Sequence, residues 1–147
     1  MKKILPPTLA SFCLVAMLVL HWLFPVASIS NAVLVIVGLG MMVFGIMLAI
    51  TAEGQFRRTG TNVNPFGLPT KLVTDGWFKY SRNPMYLSFA LILAGAWIAL
   101  GSLSSFLGVV AFLVVTDRWY IGHEENRLAE TFGQAYEIYR KQTRRWL

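Results

Sequence analysis

The sequence predicts an all-α integral membrane fold: two N-terminal transmembrane helices, a cytoplasmic loop, a transmembrane helical hairpin and an amphipathic C-terminal helix. Three observations carry this. Of 147 residues, 56% are hydrophobic and 14% charged, with a net charge of +6; ordinary globular chains are about 25% charged. The apolar residues gather into runs long enough to cross a hydrocarbon core of ~30 Å. All 13 lysines and arginines lie on one side of those runs. The same apolar content excludes a disordered chain. The single cysteine, Cys13, excludes a disulfide scaffold.

The first span is expected over residues 9–29, which hold no formal charge and one histidine, His21. Lys2 and Lys3 ahead of it give it the outline of a secretory signal, with Val26-Ala27-Ser28 as a poor cleavage site. Its length and the second span close behind it argue for a membrane helix instead. His21 reads as a lone polar group bonding locally near the outer interface, and Cys13 as a small apolar filler. The second span covers residues 32–51, without an ionisable side chain. Gly38, Gly40, Gly45 and Ala49 line it with small residues, which permits close helix contact in lipid and a homo-oligomer. Residues 85–116 are uncharged and too many for one simple span. Gly101-Ser102-Leu103-Ser104-Ser105 marks a turn within them. The result is a hairpin of helices at 85–101 and 105–121, short enough to be a deep hairpin as readily as two full crossings.

The connections at residues 25–31 and 101–105 carry no lysine or arginine. By the positive-inside rule both termini are cytoplasmic, as in a prokaryotic inner membrane. Attraction to anionic headgroups then accounts for the basic excess, with no nucleic-acid partner.

The chemistry is expected on the cytoplasmic side, in two segments. The loop over residues 60–86 contains Pro65, Pro69 and Pro84, and enough apolar side chains to fold onto something. Thr74-Asp75-Gly76 is a tight-turn signal. Asn83-Pro84 sets an extended residue before a helix, whose N-terminus then faces the cytoplasm and favours an anionic group. The second segment is a helix over residues 123–145. Leu128, Phe132, Ala135, Tyr136 and Tyr139 form its apolar stripe, and Phe132-Gly133 marks an interruption. Arg140, Lys141, Arg144, Arg145 and Trp146 read as interfacial anchors laid on the membrane. Glu124 and Glu125 project about 100° apart on a helix, so at most one faces a given pocket. A carboxylate there attracts a cationic ligand. His123 with these two acids supplies too few ligands for a metal site.

In order along the chain stand Leu72-Val73-Thr74-Asp75-Gly76, Arg82-Asn83-Pro84-Met85-Tyr86, an apolar hairpin, and Glu124-Glu125 followed by Leu128, Phe132-Gly133 and Tyr136. This combination resembles the isoprenylcysteine carboxyl methyltransferases and their phospholipid-methyltransferase relatives, over roughly the C-terminal 85 residues. The resemblance implies S-adenosyl-L-methionine as methyl donor. It implies a donor site from Thr70, Lys71, Leu72, Val73, Phe78, Asn83, Pro84, Met85 and Tyr86, with Glu124 or Glu125. Asn83 stands where other members have His, and Phe78 where some have Tyr. A lipophilic acceptor bearing a carboxylate, amine or thiol is implied as the partner. Methyl transfer from a sulfonium is an in-line displacement that needs alignment and a dry site, and no metal is required. An acceptor carboxylate needs a cation, for which Arg118, and after it Arg82 or Arg127, lie in the right zone. Arg82 also suits bonding to carbonyls, and Arg118 suits snorkelling at the interface. An NADPH-dependent membrane reductase and a non-enzymatic membrane adaptor stand as alternatives.

Overall fold

The computed structural model describes residues 5–60 and 70–147. Lys2, Lys3, Pro65, Pro69, Phe66 and Leu68 lie outside the described residues. Helix α1 is Pro6–Leu23, with a proline at its start whose fixed φ suits the first turn. It begins and ends earlier than the expected 9–29, because Pro25 cannot donate to the helix and disfavours helical geometry at Phe24. Helix α2, Ala32–Thr59, is capped by Asn31, whose Oδ1 accepts the Leu34 N–H at 2.9 Å. It runs two turns beyond residue 51. Loss of apolar character marks the end of a bilayer, whereas only Gly60, at φ 72°, ends the helix. Arg57 and Glu53 pair at 2.8 Å along the extension.

A 3-10 turn, Gly76–Lys79, follows the expected tight turn, with Gly76 at φ 57°. Helix α3 is Pro84–Leu100 and α4 is Phe106–Val115. A π turn, Thr116–Ile121, joins α4 directly to α5, Gly122–Phe132. Helix α6, Gln134–Gln142, follows a break at Gly133, φ 50°. The predicted helix over 123–145 is therefore two pieces, and the predicted separation near residue 122 is absent. Among the described residues, Pro6–Leu23, Ala32–Thr59 and Leu103–Phe132 are long and apolar enough to cross a membrane; α3 is apolar and 17 residues long.

Helix α3 is the hub. Its Ser88, Ile92, Gly95 and Ala99 meet α2, while Leu93 and Ala96, one position on, join Ala10, Cys13 and Met17 of α1 and Val109 and Phe112 of α4. The consecutive helices α1 and α2 thus do not pack chiefly on each other: α2 packs on α3, and α1 on α4 and α3. A Cβ on Gly38 would lie 2.5 Å from the Gly95 carbonyl oxygen, and one on Gly95 2.5 Å from that of Gly38. The backbones touch at this crossing. Gly45 makes a second close approach, to Ser88 and Ile92, and Gly108 a third, to Met17. Gly40 faces open space, so it is not part of the small-residue contact. At the far end the Ile29 N–H donates to Gly101 O at 2.8 Å and the Leu103 N–H to Val26 O at 3.0 Å, tying the two turns together. His21 Nδ1 is buried there without a hydrogen-bond partner among the described residues, contrary to the expected local bond. The outward faces of α1, α2 and α4, including Phe12, Trp22, Ile36, Ile50 and Leu107, are exposed and apolar. Such faces suit lipid and not water.

Gly38→Leu and Gly95→Leu are expected to cost about 1–3 kcal/mol or more, as overpacking does in a closed contact. Gly40→Leu is expected to stay within about 0.5 kcal/mol. Thermal melting of the detergent-solubilised protein checks both.

Candidate functional site

A cavity of about 410 Å³ opens at the charged end of the bundle. Four parts of the chain wall it: Leu5, Pro6 and Pro7 at the start of α1; Glu53, Phe56 and Arg57 near the end of α2; Lys71 to Val73 with Phe78 from the loop; and Arg82 to Tyr86 with Phe89 around the start of α3. Glu124, Arg127 and Leu128 of α5 and Tyr139 of α6 close it.

The loop reaches the cavity because it has its own core. Val73 and Phe78 are buried with Tyr136 and Tyr139, and Phe56, Leu72, Leu128 and Phe132 pack around them. The Phe56 and Phe78 rings lie 5.0 Å apart. The Tyr139 hydroxyl donates to Phe78 O at 2.6 Å. Gln55 accepts the Trp77 N–H at 3.3 Å and donates to Asp75 O, fixing the turn on α2. Burial, with Glu125 adding to it, pushes the Tyr136 hydroxyl up to about 12, so it stays neutral at physiological pH. The apolar stripe on α5 and α6 is thus turned inward at Tyr136 and Tyr139, while Ala135 is exposed.

The two adjacent acids take different sides. Glu124 lines the cavity and is hydrogen-bonded by the Tyr86 hydroxyl. Glu125 is buried, away from the cavity wall, between two arginines. Arg82 Nη2 donates to its Oε1 at 2.7 Å, and Arg145 Nη2 donates to its Oε2. Arg145 also donates to both oxygens of Asp117 at 3.2 Å. The Trp146 indole N–H reaches Asp117 at 3.1 Å. In a regular α-helix residues 117 and 125 diverge by about 80°. The π turn adds residues per turn and brings both acids within reach of one guanidinium.

Of the expected site residues, Lys71, Leu72, Val73, Phe78, Arg82, Asn83, Pro84, Met85, Tyr86 and Glu124 share this wall. Thr70 does not; its hydroxyl donates to Gly60 O at 3.3 Å. Arg118 is exposed and lines a separate shallow groove with Leu87, Ala90, Leu113, Val114, Asp117 and Trp146. Arg145 and Trp146 are folded onto the bundle rather than laid out as membrane anchors: Asp117 and Glu125 take their guanidinium and indole N–H groups at fixed positions. The contributions of α1 and α2, and that of Phe89, went unread in the sequence; Arg127, Leu128 and Tyr139 were read as a cation and as parts of an apolar stripe, not as walls of this cavity. The first two spans carry no polar motif, so only their position makes them walls.

The donor set fits a zwitterionic, cationic ligand with a flat apolar part. The cavity offers a carboxylate, Glu124, cations at Lys71 and Arg127, and apolar walls. Arg82 keeps a buried Nε–H without a partner among the described residues, the mark of a group that completes the site.

A phospholipid methyltransferase family model matches residues 33–135. The chain belongs to the phospholipid methyltransferase family. It is an S-adenosyl-L-methionine-dependent methyltransferase, as the motif resemblance implied. An uncharacterised protein of Haemophilus influenzae is 41% identical over 63 residues, 43% of this chain and all of that relative. The protein-S-isoprenylcysteine O-methyltransferase of Schizosaccharomyces pombe is 37% identical over 73 residues, 48% of this chain and 30% of that enzyme. No solved structure matches.

Removing one partner of a buried ion pair leaves an uncompensated charge and costs about 3–5 kcal/mol. Glu125→Ala is therefore expected to destabilise the protein by roughly that amount, whereas Glu137→Ala, in an exposed pair on α6, costs under about 1 kcal/mol. Parallel thermal melts separate the two.

Proposed function

We propose that the cavity holds S-adenosyl-L-methionine at the cytoplasmic face, and that a lipophilic acceptor meets it from the bilayer. One observation carries this reading: a single cavity unites the Leu72-Val73 stretch, the Arg82–Tyr86 motif and Glu124. Glu124, oriented by Tyr86, pairs with the donor's ammonium, a charge-assisted contact in a site shielded from water. Lys71 and Arg127 lie where the donor's carboxylate needs a cation. Leu72, Val73, Phe78, Pro84 and Met85 supply the apolar surface for its adenosine. When bound, the donor supplies a methyl group on a sulfonium. The chain's work is to align that methyl and to exclude water.

The acceptor carries a carboxylate, an amine or a thiol on a lipophilic body. Its apolar part reaches the cavity from the membrane beside the start of α1, whose Leu5, Pro6 and Pro7 line it. The isoprenylcysteine O-methyltransferase relative supports a lipophilic acceptor. Arg82 and Arg57 are the cations placed to hold an acidic head group; Arg118, outside the cavity, is an interfacial arginine. The basic residues at the cavity end favour a cytoplasmic orientation in a prokaryotic inner membrane.

Calorimetric titration of the detergent-purified protein with S-adenosylhomocysteine tests the donor site. Saturable binding is expected, with none for NADPH in parallel; the reverse result would sink the assignment. Glu124→Gln removes a charged hydrogen-bond partner worth about 1.5–3 kcal/mol, so affinity is expected to fall roughly tenfold to a hundredfold. Arg118→Ala is expected to leave affinity within about twofold.

A further inference from the structure

We infer that the C-terminal tail, Thr143–Trp146, is a positioning strap, anchored on Asp117, that sets donor affinity by holding Arg82 and Asn83 at the cavity wall. The inference rests on the donor-site reading above.

Arg82 and Asn83 both line the cavity, and besides the Arg82–Glu125 ion pair both are held by main-chain carbonyls of the tail and the end of α6. Arg82 Nη1 donates to Arg140 O and Thr143 O, each at 2.9 Å. The Arg82 N–H donates to Arg144 O at 3.0 Å. Asn83 Nδ2 donates to Arg145 O at 3.0 Å. Ser81, whose hydroxyl accepts the Asn83 N–H at 3.1 Å, is itself within 3.4 Å of Arg145 O. These acceptors are present at every residue type. What matters is that the tail lies in one place.

Helical hydrogen bonding reaches only its first residue, where the Thr143 N–H donates to Tyr139 O at 3.0 Å. Helix α6 ends at Gln142, and Thr143 is extended, at φ −123° and ψ 133°. The anchors are side chains: Arg145 to Glu125 and Asp117, and the Trp146 indole N–H to Asp117. Asp117 lines the groove between α3 and α4, not the cavity. It therefore reaches the donor site through Arg145 and Trp146 and not by direct contact. A route runs from Asp117 through Arg145 and Trp146 to the tail carbonyls, and from these to Arg82 and Asn83.

The test uses the full chain in detergent, titrated with S-adenosylhomocysteine by calorimetry. Stoichiometry reports the folded fraction, and Kd reports the site in that fraction. Asp117→Asn, which touches no cavity atom, is expected to weaken Kd about threefold to tenfold. Arg145→Gln is expected to weaken it further. Because both act through one strap, the double variant is expected to match Arg145→Gln alone, not the product of the two effects. Wild-type Kd at lowered stoichiometry for Asp117→Asn would make the tail merely structural and overturn the strap. Multiplying effects in the double variant would also overturn it. Absence of binding to the wild-type protein would instead remove the donor-site reading itself.

Discussion

The buried ion pair between Arg82 and Glu125 is the constraint on which the site depends. Both side chains are about nine-tenths buried. Two charges in such a place are tolerable only if their hydrogen-bonding capacity is met, since desolvation otherwise exceeds the Coulomb gain. Arg82 places Nη1 on two carbonyls, of Arg140 and Thr143, and Nη2 on Glu125, leaving its Nε–H toward the site, and Glu125 takes a second arginine. Satisfying these groups forces three remote segments together: the start of α3, the beginning of α5 and the C-terminal tail. The cavity is the space left beside that junction.

Adjacent acids divide the labour. Glu125 looks into the protein and holds the junction, while Glu124, a hundred-degree turn away on the same helix, looks into the cavity and bonds Tyr86. The π turn before them completes the arrangement by swinging Asp117 toward Arg145. An extra residue in a helical turn costs hydrogen-bond quality, and such turns are found chiefly where function needs the displaced side chains.

The membrane part serves the same end by different physics. Lipid provides little drive for apolar helices to associate, so contact comes from close backbone approach. Gly38 against Gly95 and Gly45 against Ser88 supply it. Helix α3 sits between its neighbours as a result, and its first turn is presented to the cavity with α1 and α2 as side walls. Methyl transfer asks for alignment and dryness more than for reactive groups. A hub helix ending in a walled cavity at a membrane surface supplies both.

The sequence by itself determined the helical membrane class, the turn at Gly76, the helix start at Pro84 and the two motif segments that line the cavity. It also determined that Glu124 and Glu125 do not share a pocket. These are local properties: apolar run length, proline and glycine geometry, and the angle between neighbours on a helix. The helix ends were less legible, since α2 outruns its apolar stretch as far as Thr59 and α1 stops at Leu23, two residues before Pro25. Only the tertiary structure decided which acid faces the cavity, that Arg118 lies outside it, that α1 and α2 wall it, and that Arg145 and Trp146 fold inward instead of onto lipid. Those outcomes depend on a π turn and on main-chain carbonyls reached across the chain, and neither leaves a mark in residue type or spacing.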